Sequence, residues 1–469
     1  MVPDRGIYFQ LLRAGESGFS GGQYFGAAAL PGDSGGDDFR NRQIRGLHQE
    51  SAQQEVDERI YRKIKGKIMF VYLDNSATTR PYDSVIDLMS RIQRENYANP
   101  SSLHTAGIEA EKLLKEARKS FAKAIGAGMD EVYFTSGGTE SDNTALQGAC
   151  LSRKRSGNKI ITTAVEHPAV LEPAARLKAM GFEVEYIGVD DKCRLDLKQL
   201  KNALSEDVIL ISVMAVNNET GTIMPIEEIG RIKDEFNRNH GTDILFHTDA
   251  VQALGKIPLD MNGAFRAVDM MSVSSHKIHG PKGIGGLYVR KGLNIVPFML
   301  GGGQERGMRS GTENVEGICG FGEALRVAVD NFSERMEKIS LARKTLLEAI
   351  KDGIDDIMIN SPDGDDKKME GDNEKSCPSV LSISFLGTRG EVLLHTLEQD
   401  NVFVSTGSAC SSHKKGQSHV LSAMGLSPKE IEGTIRFSFS EFNTAEEMEY
   451  AADKVIKAVK RFRKLGSFR

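Results

Sequence analysis

The sequence predicts an α/β fold in which helices cover both faces of a mostly parallel sheet. Two observations support this prediction. Short β-rich segments alternate with helical stretches between residues 130 and 290, which is typical of parallel strands joined by helical crossovers. Residues 108–125 carry apolar side chains at helical spacing and stop before Gly126, a residue type that often ends helices. The seven β-rich segments are residues 132–135, 159–163, 184–189, 208–214, 244–247, 270–273 and 286–290.

The pattern changes after about residue 330, where a helical stretch leads into a region with fewer strands. We therefore expect a large domain over residues 69–330 and a small α+β domain over residues 331–469, with residues 69–95 packed near the small domain. The segments that predict the small domain are a helix over 333–352 and strands at 380–385, 402–405 and 435–439.

Two further segments differ from the rest of the chain. Residues 1–68 include a long stretch rich in Gly, Ser, Asp and Arg without an apolar period, and we expect a disordered leader there. Because Met69 stands directly before the first strand-like segment, we expect either that translation starts at Met69 or that the leader is dispensable. The polar, acidic residues 361–376 are expected to form a flexible surface insertion.

The composition argues against several functional classes. The formal net charge of −5 does not favour a dedicated nucleic-acid or membrane surface, because phosphate backbones require clustered positive charge. No uninterrupted apolar run approaches the ~20 residues of a membrane-spanning helix. The five cysteines have no paired spacing, which indicates a reducing compartment and argues against structural zinc or disulfides. We therefore expect a cytoplasmic protein without a metal site.

Polar residues and glycines follow several of the predicted strands, and ligands of open α/β sheets bind beyond the carboxyl ends of strands. The segment 135–140 follows a strand and precedes a helix. Its glycines, including Gly138, allow a close approach of an anion, and Thr139 offers a hydroxyl group. This pattern indicates a phosphate cradle, although a glycine turn that caps a helix has the same appearance.

Two charged residues at strand ends suggest cofactor chemistry. Lys277 lies among small hydroxylated residues, a histidine and glycines, where a partly neutral amine could form a Schiff base. Asp249 emerges from an apolar strand, which is costly unless the carboxylate pairs with a cation. A protonated pyridine nitrogen is such a cation, and so is an ordinary lysine or arginine.

A histidine and a cysteine complete the candidates. His167, at another strand end, could stack on an aromatic cofactor and move protons, or it could be a hydrogen-bonded core residue. Cys410 lies in a run of small residues followed by His413, Lys414 and Lys415. Nearby cations favour a nucleophilic thiolate, whereas a buried, inert cysteine is the alternative.

Taken together, these segments resemble the NifS/IscS-like cysteine desulfurases of the class V aminotransferase family. The resemblance runs from about Tyr72 to the C-terminus, and its motifs occur in the family's order. The motifs are LDNSATT (73–79), SGGTE (136–140), VEH (165–167), VNNETG (216–221), HTDAVQ (247–252), SSHK (274–277), RGMRSGT (306–312), GSAC (407–410) and IRF (435–437).

The resemblance implies the fold type I of pyridoxal-5′-phosphate (PLP) enzymes, with a seven-stranded sheet, and a homodimer. It implies PLP as the cofactor and assigns a role to each matching residue. The assigned residues are Lys277 for the covalent link to PLP, Asp249 for the pyridine nitrogen, Gln252 for the ring hydroxyl, His167 for ring stacking, Gly138, Thr139, Ser274 and His276 for the phosphate, Thr312 of the neighbouring subunit for the same phosphate, and Asn218 and Arg436 for the substrate carboxylate, with Asn218 also at the cofactor.

The activity implied by this resemblance is conversion of L-cysteine to L-alanine, with the sulfur moved to Cys410 as a persulfide. The stretch after Cys410 is as long as in the subgroup that hands persulfide to acceptor proteins, for iron–sulfur cluster assembly or tRNA thiolation. A selenocysteine lyase or another class V aminotransferase is the alternative. His279 stands where the family usually has tyrosine, and we expect a tolerated packing change there.

Overall fold

Three sheets and the helices around them make up the described part of the protein. The structure is a computed structural model that describes residues 69–362, 376–406 and 417–466. The predicted leader and most of the predicted insertion lie outside the described residues, and so does Cys410. In chain order the strands are β1 (Val71–Tyr72), β2 (Val132–Thr135), β3 (Lys159–Thr163), β4 (Glu183–Ile187), β5 (Val208–Ser212), β6 (Leu245–Asp249), β7 (Met270–Ser274), β8 (Gly285–Val289), β9 (Ile357–Ile359), β10 (Val380–Phe385), β11 (Val402–Phe403) and β12 (Thr434–Ser438).

The central sheet has seven strands in the order β2-β8-β7-β6-β5-β3-β4. The five strands from β7 to β4 are parallel, whereas β8 runs antiparallel to both of its neighbours. Every residue of β5, β6, β7 and β8 is buried, as expected for central strands covered on both faces. All seven predicted segments form this sheet, and the predicted fold class is confirmed.

The helices pack on both faces of this sheet and around the C-terminal strands. The predicted helix over 108–125 begins at Thr105 and ends at Ile125, and its C-cap is Gly126, whose φ of 69° is the left-handed conformation that glycine adopts without strain. In chain order the helices are α1 (Asp83–Glu95), α2 (Thr105–Ile125), α3 (Gly138–Arg153), α4 (Pro168–Ala179), α5 (Leu197–Ala203), α6 (Ile226–His240), α7 (Val315–Asp330), α8 (Phe332–Gly353), α9 (Gly390–Gln399), α10 (His419–Ala423), α11 (Pro428–Glu432) and α12 (Ala445–Leu465).

The C-terminal strands form a three-stranded antiparallel sheet in the order β12-β10-β9. Apolar side chains of α8, α9 and α12 pack on it and form a hydrophobic core distinct from the clusters around the central sheet. The sequence predicted β10, β11 and β12 within one or two residues but missed β9. The described residues from Met69 onward form one compact unit, so the division into a large and a small domain stays a prediction.

The first described residues join the C-terminal region. Strand β1 pairs in parallel with β11, Val71 opposite Val402, and both Val71 and Leu73 lie in the C-terminal core. This packing concerns residues 71–73 alone, and the expectation that residues 69–95 pack near a small domain stays a prediction. Among the described residues, no helix combines the length and the apolar composition needed to cross a bilayer.

Candidate active site

The carboxyl ends of several strands of the central sheet surround a cavity of about 240 Å³. Segments far apart in sequence meet there, because parallel strands present their carboxyl ends at one edge of the sheet. The cavity gathers nine of the predicted site residues: Gly138, Thr139, His167, Asn218, Asp249, Gln252, Ser274, His276 and Lys277.

One wall of the cavity is the start of α3. A Cβ atom on Gly138 would lie 2.6 Å from Val251 Cγ2, so the chain can pass this closely only with glycine there. Thr139 follows in the first turn, where free backbone N–H groups and the helix dipole favour an anion. The carboxylate of Glu140, in the same turn, is engaged by other groups. It accepts a hydrogen bond from Ser136 N at 2.9 Å and pairs with Arg309 Nε at 3.0 Å.

Lys277 lies in the short 3₁₀ turn that follows β7. Its Nζ donates to the carbonyl oxygens of Ser76 and Ala77 at 2.6 and 2.7 Å. These acceptors belong to the segment after β1, so the N-terminal strand, through its pairing with β11, helps to set the position of the lysine. These two hydrogen bonds therefore hold the amine in place at the cavity.

Asp249 is the last residue of β6, two residues beyond the predicted end of that strand. Its side chain is buried and its Oδ1 accepts from Val251 N at 2.9 Å. Burial raises the pKa of the carboxyl, and the positive charge of Lys277 opposes this rise. A cationic ligand atom in the cavity would stabilise the carboxylate further.

Two histidines of the cavity are neutral at ordinary pH. His167 is the N-cap of α4, and its Nδ1 accepts from Ala169 N at 3.1 Å, so the ring proton lies on Nε2. Burial, with the charges of Lys277 and His419, lowers the pKa of His167 to about 4. Burial and the charge of Lys277 likewise lower the pKa of His276 to about 4. A neutral His167 ring is suited to stacking on an aromatic ligand.

Two predicted residues do not line the cavity. Arg436 is buried, with Nη2 at 2.9 Å from Asp74 Oδ1 and Nη1 donating to the carbonyl oxygen of Asn218 at 3.1 Å. Its Nε has no hydrogen-bond partner among the described residues. Thr312 is exposed on the loop before α7. The roles predicted for both residues stay predictions.

The structure adds residues that the sequence did not single out. Asp142 lines the cavity fully buried, and its Oδ1 lies 3.5 Å from His247 Nε2. Burial and the charge of Asp249 raise its pKa, so Asp142 tends to hold a proton. Lys256 does not line the cavity, but it is hydrogen-bonded to Gln252, which does. Asp142 follows Thr139 by three residues, and Lys256 follows Gln252 by four. This spacing is the signal in the sequence that could have pointed to both residues.

His279 corrects one prediction. It does not merely fill space, because its Nδ1 donates to the carbonyl oxygen of Arg80 at 2.7 Å and its Nε2 lies 3.2 Å from Glu441 Oε2. Glu441 also pairs with Arg335 and accepts from the hydroxyl of Tyr82. The histidine is part of a buried polar cluster beside the lysine turn.

The fold and this cavity are those of an enzyme of the class V aminotransferases. The family model "Aminotransferase class-V" matches residues 71–450, and the chain belongs to that family. Within it the chain is similar to the cysteine desulfurases, and the resemblance seen in the sequence is confirmed. It is 41% identical over 399 residues to "Cysteine desulfurase IscS" of Dictyoglomus turgidum, an alignment that covers 85% of this chain and 97% of the relative.

Solved structures agree with this grouping. A "NIFS-LIKE PROTEIN" superposes with a TM-score of 0.76 at 40% identity and covers 84% of this chain and 100% of its own. A structure titled "SspA in complex with cysteine" superposes with a TM-score of 0.67 at 33% identity, covering 80% of this chain and 100% of its own.

Proposed function

We propose that this enzyme is a cysteine desulfurase that holds PLP, converts L-cysteine to L-alanine and collects the sulfur on Cys410 as a persulfide. The observation that carries the proposal is that Lys277, Asp249 and the Gly138–Thr139 turn line one cavity. An amine, a buried carboxylate and an anion cradle match the aldehyde, the pyridine nitrogen and the phosphate of PLP. The relatives named as cysteine desulfurases support the same activity.

The residues of the cavity fit PLP in two respects. Gly138 and Thr139 line the cavity at the start of α3, where a phosphate would bind, and Ser274 and His276 line it as further residues that would hold the phosphate. The buried carboxyl of Asp249 needs a cationic partner, which a protonated pyridine nitrogen provides. When bound, PLP supplies the electron sink for the substrate's Cα–H bond electrons. Lys277 then removes and returns the proton at Cα.

His167 and Gln252 would orient the cofactor ring. The neutral His167 ring would stack on it and exchange a proton through Nε2. The Gln252 amide would donate to the ring hydroxyl. Asn218 and Arg436 would hold the substrate carboxylate, for which the planar guanidinium is suited because it forms two parallel hydrogen bonds. Because Arg436 is paired with Asp74 at 2.9 Å, the incoming carboxylate has to share or replace that partner.

The sulfur step follows from thiolate chemistry. The thiolate of Cys410 attacks the substrate sulfur, an S–S bond forms, and the bond from Cβ to sulfur breaks. The electron pair left on the carbon side takes up a proton, and alanine is released. The described cysteines are Cys150, Cys193, Cys319 and Cys377; all are buried and unpaired, so none is as suited to this attack.

The wider setting is part of the same proposal. We infer a homodimer, in which the exposed Thr312 of one subunit reaches the phosphate of the other. Sulfur would pass from Cys410 to acceptor proteins of iron–sulfur cluster assembly or tRNA thiolation. The free cysteines are in keeping with a reducing, cytoplasmic location.

The test uses the full chain reconstituted with PLP. The wild type is expected to show a visible absorption band and to form alanine and, with a reductant, sulfide from L-cysteine. Cys410→Ser should keep the band and lose sulfide release, whereas the control Cys150→Ala should keep both. Sulfide release that survives in Cys410→Ser would refute the sulfur step. Turnover of selenocysteine without turnover of cysteine would identify a selenocysteine lyase instead.

A further inference from the structure

Lys256 is a buried ammonium group with an unusual partner. Its side chain is only 7% exposed, and its Nζ donates to a neutral acceptor, Gln252 Oε1, at 2.8 Å. Among the described residues no carboxylate lies within ion-pair distance of this nitrogen. Buried lysines are rare unless they are paired, because burial of an unpaired charge is costly. The position therefore calls for an explanation beyond packing.

A second buried lysine among the described residues provides a contrast. Lys233 donates to the carbonyl oxygen of Ala267 at 2.9 Å, and its Nζ also lies 3.1 Å from Asp234 and 3.4 Å from Asp269. Its charge is thus compensated within the protein. The charge of Lys256 has no such compensation in the part of the chain that the structure describes.

A chain of hydrogen bonds links Lys256 to the cavity. Gln252 accepts from Lys256 through Oε1 and donates through Nε2 to the carbonyl oxygen of Ser76 at 3.0 Å. The same carbonyl accepts from Lys277 Nζ at 2.6 Å. Because an ammonium group can only donate and a carbonyl can only accept, the two ends of the amide are fixed without ambiguity. Gln252 lines the cavity, and its second Nε2 hydrogen remains available to donate to a ligand there.

The charges that face Lys256 come from several elements. The cations of Lys277, Arg335 and Arg436 disfavour its protonated form, while the thiol of Cys377 favours it. Arg335 is paired with Glu441 and Arg436 with Asp74, so these two cations are compensated locally. Burial and the neighbouring cations lower the pKa of Lys256 to about 8, so it remains mostly charged near neutral pH. The surplus positive charge matches an anionic ligand.

We propose that Lys256 is a positioning residue for the cofactor: its ammonium group fixes the Gln252 amide and polarises it toward the oxygen on the ligand's ring. This inference rests on the proposed function, since it takes PLP as the ligand. A donor on the carbonyl end of an amide strengthens the N–H groups at the other end as donors. Lys256 therefore strengthens the hydrogen bond that Gln252 gives, without contacting the ligand.

The experiment compares the cofactor-stripped full-length chain with three variants. Lys256→Met removes donor and charge, Lys256→Gln keeps a donor without the charge, and Lys233→Met is the control for loss of a buried lysine. The first readout is the dissociation constant of PLP, titrated through the visible band. We expect Lys256→Met to bind PLP about tenfold more weakly, Lys256→Gln to recover part of that loss, and Lys233→Met to bind as the wild type.

The second readout separates positioning from a merely structural role. A positive charge at Lys256 disfavours a proton on the nitrogen of Lys277 in the loaded enzyme. Without that charge, the pH midpoint of the visible band should move upward by about half a unit or more in both Lys256 variants and stay unchanged in Lys233→Met. Circular dichroism spectra establish that each variant is folded.

Two results would overturn the inference. One is a Lys256→Met variant whose PLP affinity and pH midpoint equal those of the wild type. The other is a Lys233→Met variant that shifts both readouts as far as Lys256→Met does. A wild-type chain that takes up no PLP is a different result, because it overturns the proposed function itself.

Discussion

Replacement of Glu441 by glutamine should destabilise the fold in a pH-dependent way. The Glu441 side chain is only 9% exposed, and its Oε1 pairs with Arg335 Nε at 2.7 Å while its Oε2 lies 3.2 Å from His279 Nε2. Breaking a buried ion pair costs about 3–5 kcal/mol. In the variant, Arg335 still donates to the carbonyl oxygens of Gly255 and Ala328, at 2.9 and 3.2 Å. We therefore expect a loss of stability at the lower end of this range, about 3 kcal/mol, at pH 7.

The pH dependence follows from the depressed pKa of Glu441. Burial alone would raise this pKa, but contact with His279 and the charge of Arg335 hold it well below its usual range. As the pH falls below about 4.3, protons bind the unfolded chain first, and the stabilisation by Glu441 declines. The difference between wild type and Glu441→Gln should therefore shrink by about 1.4 kcal/mol between pH 7 and pH 3.3.

Urea unfolding of the cofactor-free chains, followed by circular dichroism, measures both quantities. Glu432→Gln is the matched control, because Glu432 pairs with Arg389 at an exposed position. Exposed pairs contribute at most about 1 kcal/mol, so the control should change little at either pH. A Glu441→Gln loss no larger than that of the control, or one that is equal at both pH values, would refute the reasoning.

Two further predictions concern the cavity. Gly138→Ala places a Cβ 2.6 Å from Val251 Cγ2, so PLP should bind about tenfold more weakly in a visible-band titration. Adding Val251→Ala to the same chain removes this clash and should restore PLP binding. A double variant that still binds PLP weakly speaks against the clash as the cause. Asp249→Asn removes the negative charge expected at the pyridine nitrogen. Alanine formation should fall by about a hundredfold while Lys277 still takes up PLP, and an Asn variant with wild-type turnover contradicts the role of Asp249.

Local patterns predicted much of the fold and of the cavity. The seven strands were recognisable because each is a short β-rich run between helical stretches, and Asp249, His167 and Lys277 stood out because each follows such a run. The end of β6 was placed two residues early, since Thr248 and Asp249 are polar residues in a fully buried strand. Here tertiary burial decides where the strand ends, and local propensity does not.

Other parts of the site depend on contacts between distant segments, which no local pattern reveals. Arg436 pairs with Asp74, 362 residues away, so the sequence alone gave no sign that the guanidinium already has a carboxylate partner. Asp142 looks like an ordinary polar residue of a helix until the packing of α3 on the sheet buries it. Lys256 looks like any surface lysine in the sequence, yet it is buried in the fold, where its neighbours Gly255 and Gln252 bond to Arg335 and Ser76.

The pairing of β1 with β11 has a consequence for biosynthesis. The ribosome completes Lys277, Asp249 and the α3 turn well before it reaches residue 402, yet the carbonyl groups that hold Lys277 belong to the segment after β1. That segment finds its last partners when Val402 and Ser438 have emerged, since Asn75 and Ser76 bond to Ser438, whereas its bonds to Gln252 and Lys277 need only earlier residues. A nascent chain that ends before Val402 therefore lacks the pairing of β1 with β11 and the bond of Ser76 to Ser438, and the pocket gains this part of its support last.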